Sequence, residues 1–320
     1  MCHHAHADEK NWNIAPEALK PLFTLRPGRH LLAMAADWLI IGATIALCVR
    51  FFNPALYLLA VITIGARMHA LAILMHDATH YRFIKNRRLS DRLTNWITMY
   101  PLFTSIHTYR DNHLRHHQHL NTEEDPDWVA KLGKRAFRFP KSKVEFLLTV
   151  LSYLVLYQGV LDAVWFAKRF AAPKGKPAAP QRDGRERLLF YAILFTVLTW
   201  TGTWTIYLLY WVVPYLSTFF MFQYIRSVAE HFGELAYDHL LTSTRTVRPK
   251  LVERFFIAPH EVGYHLEHHL YPGVPFYHLP QLHRLLMEDE NYRGKAHLTQ
   301  GYVSGLLNEL SHGYQEEAVA

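Results

Sequence analysis

The chain has 320 residues, half of them hydrophobic and 14% aromatic, which excludes a disordered protein. A mean hydropathy of −0.05 would suit a soluble protein, but the apolar residues are bunched into long runs rather than spread. The net charge of +7 comes with no zinc-finger spacing, RNP motif or basic heptad helix, so it argues for a basic face against anionic lipid and not for nucleic acid.

Residues 1–30 read as a cytoplasmic tail. The opening "MCHHAHADEK" has no basic n-region followed by an apolar core, so it is not expected to be a signal peptide, and His3, His4 and His6 read as part of a polar tail. Cys2 and Cys48 stand in unlike settings, which predicts neither a disulfide nor a thiolate metal motif.

Two apolar runs follow, Leu31–Val49, broken only by Asp37, and Phe51–Leu74, with Asn53-Pro54 as the turn. A later run, Leu188–Tyr224, is too long for one crossing and offers Gly202 as a bend. A crossing takes roughly 20 apolar residues. Four spans in two hairpins are therefore expected, at about 31–49, 54–74, 187–203 and 205–224. The turn at 50–54 carries Arg50 alone, whereas 81–143 holds Lys85, Arg87, Arg88, Arg92, Lys131, Lys134 and Arg135. By the positive-inside rule, both termini and the long loops should be cytoplasmic.

The run Phe146–Phe166 would flip the rest of the chain if it crossed, so 146–167 is assigned to the interface or a re-entrant dip. The stretch "AAPKGKPAAPQRDGRER" (171–187) reads as a loop. Helical pattern continues beyond the second and fourth spans, through His76 and His80 and through Arg226, Glu230, His231 and Glu234. Arg67 either shares such an extension or lies inside, paired with Asp37. The fold class is then an all-α integral membrane protein: a membrane-embedded domain over 31–290, capped by a cytoplasmic helical region carrying a histidine-rich di-metal site. Residues 291–320 are expected to form a C-terminal tail.

Histidines number 22, and eight of them fall into three groups. "HDATH" sets His76 and His80 four apart, one above the other on a helix face. "HLRHH" sets His113, His116 and His117 at i, i+3 and i+4, and "HLEHH" repeats that spacing at His265, His268 and His269. His231, ending "RSVAEH" on the extended fourth helix, is a ninth candidate. Each group adjoins an expected cytoplasmic membrane face, so all can converge there. Imidazole suits zinc, copper, iron and nickel about equally. Nine ligands are too many for one ion and suit two ions of roughly octahedral type with open positions. "HEVGYH" (260–265) is close to the H-E-x-x-H of zinc proteases, but its second histidine comes one residue late, off the shared helix face.

With these boxes in this order, the chain resembles the membrane fatty acid desaturases that carry three histidine boxes. The flanks "NTEEDPDW" after the second box and "HHLYPGVPFYHLP" at the third are similar too, and the likeness covers roughly residues 65–290. The resemblance implies two iron ions held by His76, His80, His113, His116, His117, His265, His268 and His269. It makes His231 the further ligand on the fourth helix, with Ser227 where some members carry asparagine. It also implies O2 as co-substrate and desaturation of a lipid acyl chain in a membrane. No G-x-G-x-x-G loop or His-Pro-Gly-Gly haem signature is present, so electrons should come from a separate donor such as ferredoxin or cytochrome b5. The basic stretches 82–92 and 131–143 are the candidate docking loops for an acidic donor.

Other histidines and aromatics have humbler roles. His119 lies off the face of its box, and His107, His260 and His278 could support ligands. Asp77, Asp111, Asp125, Glu230 and Glu267 are near enough to orient imidazoles. Trp211, Tyr215, Phe219 and Phe222 could line an acyl tunnel or simply pack helices. Rival functions are a lipid hydroxylase or ketolase on the same scaffold, and a membrane haem electron carrier. The latter would need histidines facing each other within the spans. A metal transporter should carry ionisable residues mid-span, and these spans offer little beyond Asp37 and Arg67.

Overall fold

The structure is a computed structural model that describes residues 12–170, 183–237 and 239–312. Cys2, the early histidines and most of the 171–187 stretch lie outside the described residues. The described residues divide into two compact units: a long-helix unit (27–111, 149–170 and 183–224), and a short-helix unit (12–26, 112–148, 225–237 and 239–312).

Helices α1 (Pro27–Arg50) and α2 (Pro54–Thr79) form the first hairpin of the long-helix unit. Asn53 stops one and starts the other: its side chain accepts from the Leu56 N–H, and Pro54 takes the first helical position, where no N–H is needed. Within the most apolar 18-residue window, α2 is 78% buried and α1 only 22%, so α2 is the central helix. The exposed side of α1 carries Leu31, Leu32, Leu39 and Leu47, as suits a helix facing lipid. The Arg67 Nη1 donates to Asp37 Oδ1 at 3.1 Å with both side chains buried, so Arg67 lies inside and is paired.

Gly65 of α2 lets another helix approach: a Cβ there would lie 2.0 Å from Thr218 Oγ1, which donates to the Val61 carbonyl. That neighbour belongs to α8 (Trp204–His231), a 28-residue helix interrupted by π-helical turns at Leu208–Val212 and Tyr215–Phe219. Before it, α7 (Gly184–Thr201) ends on Gly202, whose φ of +67° closes the helix in the left-handed conformation that glycine adopts readily. Between these hairpins come α3 (Arg87–Thr94), α4 (Ile106–Gln118), α5 (Lys143–Leu154) and α6 (Tyr157–Phe170). The core joins Ile41, Ile64, Met68 and Leu71 to Trp211, Tyr215 and Phe219. Those aromatics are packing residues: Trp211 Nε1 donates to the Pro101 carbonyl at 2.9 Å, and its ring stacks on Trp38.

One difference from the sequence expectation stands out. Among the described residues, three helices, α1, α2 and α8, are long and apolar enough to cross a membrane, against four expected spans. Helix α7 opens on Arg185, Glu186 and Arg187, which cuts its apolar length. The 146–167 stretch is two helices, α5 and α6, bent by 77° at a break, the shape of a broken span or a re-entrant loop.

The short-helix unit is not wholly helical. Strand β1 (Thr246–Arg248) pairs in parallel with β2 (Leu298–Gln300), with Thr246 opposite Leu298. Helices α9 (Leu251–Phe256), α10 (His265–Leu270), α11 (Leu279–Leu286) and α12 (Glu290–Lys295) lie between the two strands in sequence, and α13 (Leu307–Ser311) follows. Its apolar core includes Leu22, Leu266, Leu270, Leu282, Leu286 and Tyr292. Residues 291–312, set apart as a tail in the sequence reading, are therefore part of this unit. The pairing of β2 and the burial of Tyr292 and Leu310 anchor them.

Candidate metal centre

Helix α2 delivers the first box. His76 is buried in its last turn, His80 caps it, and their ring centroids are 5.6 Å apart. Arg110 pins this helix end. Its guanidinium grips Asp91 with two hydrogen bonds (2.9 and 2.6 Å), and its Nε donates to the Thr79 carbonyl at 3.0 Å.

Helix α4 starts where the Ile106 N–H donates to Asn95 Oδ1, and it carries His113, His116 and His117 on one face. The acidic run after it folds back on this helix. One oxygen of Asp125 caps the short helix Pro126–Val129 by accepting from the Asp127 and Trp128 N–H groups. The other accepts from His116 Nδ1 at 2.8 Å and from the Asn121 N–H. Burial would raise the Asp125 carboxyl, but the His116 hydrogen bond and the backbone donors outweigh it and hold it below the usual range.

Helix α8 ends on His231, and α10 presents His265, His268 and His269. The ligand atoms of His116, His231, His265 and His269 lie within 4.8 Å of one another, as do those of His113, His117 and His268. His265 Nε2 is 2.9 Å from His231 Nε2 and 3.0 Å from His269 Nε2, and His117 Nε2 is 3.1 Å from both His113 Nε2 and His268 Nε2. A neutral imidazole has one N–H and one lone pair, so rings crowded this way cannot satisfy one another. His116 donates through Nδ1 to Asp125, and His265 Nδ1 faces Glu230 Oε1 at 3.3 Å, which leaves their Nε2 lone pairs pointing inward. Glu230 is itself gripped by Arg226 Nε at 2.6 Å, one turn earlier on α8. The spacing suits adjacent corners of an octahedron, whose edge is about 3.0 Å for a metal–nitrogen distance of about 2.1 Å. Burial, with His117, His265, His116 and His231 adding to it, pushes the His269 imidazole well below its ordinary value and keeps it a neutral donor. The donor set fits metal binding.

The remaining candidates fall away from the clusters. His119 faces Glu124 at 2.9 Å near the surface, and His107 faces Asp91 at 4.0 Å. His260 and Glu261 both have positive φ in a turn, so the protease-like sequence forms no helix. Asp77 faces His30 at 3.5 Å, and Glu267 turns toward His283 and Tyr292. Among the candidate orienting carboxylates, Asp125 and Glu230 face ligands, and the spacing of Glu230 from His265 along the chain gave no hint of it. In the docking loops, Lys141 is buried with its Nζ on the Arg135 and Ala136 carbonyls, so it presents no charge to a donor. Ser227, one turn before His231, has a buried Oγ with no hydrogen-bond partner among the described residues.

Comparison with known proteins agrees with this geometry. Residues 52–301 match the family model for fatty acid desaturases. The dihydrorhizobitoxine desaturase of Bradyrhizobium elkanii is 30% identical over 86% of this chain and 81% of its own length. An sn-1 oleoyl-lipid 12-desaturase of Anabaena variabilis is 25% identical over 70% and 67%. An sn-1 acyl-lipid omega-3 desaturase (ferredoxin) of Nostoc is 23% identical over 83% and 76%. With a helical chain, spans apolar enough for a membrane and two histidine clusters able to hold metal, the chain belongs to the fatty acid desaturase family and is an oxidoreductase.

Proposed function

We propose that this protein is an O2-dependent acyl-chain desaturase with two iron ions and an external electron donor. The convergence of His116, His231, His265 and His269, with Asp125 and Glu230 behind two of them, carries this reading. One ion would be held by those four imidazoles. The other would be held by His113, His117 and His268, with His76 and His80 of the first box completing its set as the family pattern implies. Bound there, iron would supply O2 activation and removal of two hydrogens from neighbouring methylenes.

The residues of the chain do the rest. Asp125 holds the His116 tautomer with its Nε2 lone pair on the metal side, and Glu230 does the same for His265. Imidazole ligands keep the centre's charge on the ions themselves, unlike the glutamates of soluble di-iron bundles. The apolar faces of α1, α2 and α8 keep an alkyl chain in a water-poor setting. In the topology we favour, α1–α2 and α7–α8 are two membrane hairpins, α5–α6 dips into one leaflet, and the histidines and both termini are cytoplasmic. A soluble ferredoxin is the donor we favour, on the strength of the Nostoc relative's name.

A second reading concerns substrate. The Bradyrhizobium relative is named for dihydrorhizobitoxine, not for a lipid acyl chain. The test is expression in a host of known lipid content, with mass spectrometry of acyl chains and of small metabolites. Loss of two hydrogens from an acyl chain, abolished by His116→Ala, supports the first reading. The same loss confined to a small metabolite supports the second. Gain of one oxygen would make the enzyme a hydroxylase and overturn both.

A further inference from the structure

Glu267 sits in the middle of the third box, yet it points away from the ligands. It is fully buried. Its Oε1 accepts from Tyr292 Oη on α12 at 2.8 Å and from His283 Nδ1 on α11, and its Oε2 accepts from Thr246 Oγ1 on β1. One carboxylate thereby receives hydrogen bonds from three separate elements. We infer that Glu267 is a positioning residue that sets the rotation of α10, and with it the aim of the third-box histidines at both ions. The inference rests on the di-iron reading above.

The physical case begins with the length of α10. It has six residues and no side-chain bond at its N-cap. An isolated helix below roughly 12 residues is marginal in water, so tertiary contacts must fix this one. Leu266 and Leu270 bury its apolar side, but apolar contacts are non-directional and tolerate rotation. Glu267 follows His265 and precedes His269 by two residues each, about 200° around the axis, so it occupies the back of the helix that those histidines front.

Leverage makes the anchor matter. Side-chain tips stand about 5–6 Å from a helix axis, so a turn of 15° moves a ligand nitrogen by ~1.5 Å. Metal–ligand distances tolerate only about 0.2 Å. A carboxylate held by donors on β1, α11 and α12 resists that turn, and a buried carboxylate without them would be costly. Because α10 supplies His265 and His269 to one cluster and His268 to the other, rotation should loosen both ions together.

The test uses the full chain, purified in detergent with its iron. Iron per chain and the rate of iron release to a ferrous chelator are measured for wild type, Glu267→Gln, Glu267→Ala, Tyr292→Phe and Thr246→Val, with His231→Ala as a single-site reference. Glu267→Ala should release both irons at least tenfold faster. Glu267→Gln should fall between, since it keeps one acceptor oxygen but turns an amide N–H toward a donor. Tyr292→Phe and Thr246→Val should accelerate release a few-fold, and His231→Ala should affect one iron only. Wild-type release from a monodisperse Glu267→Ala protein, or loss of one iron alone, overturns the inference. Should Glu267→Ala fail to fold, wild-type release from both Tyr292→Phe and Thr246→Val overturns it instead. A wild type that holds no iron overturns the di-iron reading and this inference with it.

Discussion

Two helices present their box histidines in opposite ways. Helix α2 has 26 residues, and its own backbone ladder fixes where His76 and His80 project. Helix α10 has six, and what surrounds it must fix the same thing. The difference teaches that a ligand's spacing in sequence predicts its face only where the helix is long enough to hold its own register. On a one- or two-turn helix, the ligand's aim is a property of its neighbours.

That comparison can be broken or sharpened experimentally. The largest effect is expected from removing a ligand at either helix: His76→Ala and His265→Ala should both abolish product, read as new double bonds in the acyl profile. A variant that keeps wild-type product would remove that histidine from the centre. Next come changes that strike the long helix away from its ligands. Asp37→Ala takes the carboxylate away from the buried Arg67 guanidinium, which should cost about 3–5 kcal/mol in unfolding experiments. Iron per folded chain should nonetheless stay at the wild-type value, because the α2 ladder still carries His76 and His80. Iron loss in step with stability loss would erase the distinction between the two helices.

Helix α4, with 13 residues, is the intermediate case. Asp125→Asn keeps its fold but weakens the orienting acceptor for His116, and iron affinity should fall about 10- to 100-fold by competition with a chelator. Gly65→Ala presses a methyl onto Thr218 and should destabilise the long-helix unit by about 1–3 kcal/mol without changing iron release. The smallest effect belongs to Asn53→Ala. Loss of its bond to the Leu56 N–H should cost about 1 kcal/mol, visible as a small shift in thermal unfolding.

The same distinction explains what could be read before the fold was seen. The histidine boxes could be picked out because i, i+3 and i+4 spacing shows in the sequence whether or not a helix fixes its own aim, and His231 because it ends an extended apolar helix. The hairpin turns were legible because Asn53-Pro54 and Gly202 act through local backbone chemistry. What escaped was made by distant partners. Nothing near Glu267 marks it as the acceptor for Thr246, His283 and Tyr292, and the stretch 291–312 looks like a polar tail until β2 finds β1. Lys141 reads as a docking charge until two backbone carbonyls take its ammonium. The charges that open α7 were plain in the sequence, but a span drawn from 187 leaves Arg185 and Glu186 outside it.

The two π-helical turns of α8 carry a consequence for angular phase. Each accommodates one residue more than an α-turn, so side chains beyond it are displaced by about 100° from where unbroken α-periodicity would put them. Between Trp204 and His231 the helix therefore holds two spare residues, and the direction of its final histidine depends on both. Straightening either turn to α-geometry with the sequence unchanged would leave an equally apolar span whose last side chain points a quarter-turn or more away. The membrane would tolerate such a chain, and the metal centre would not.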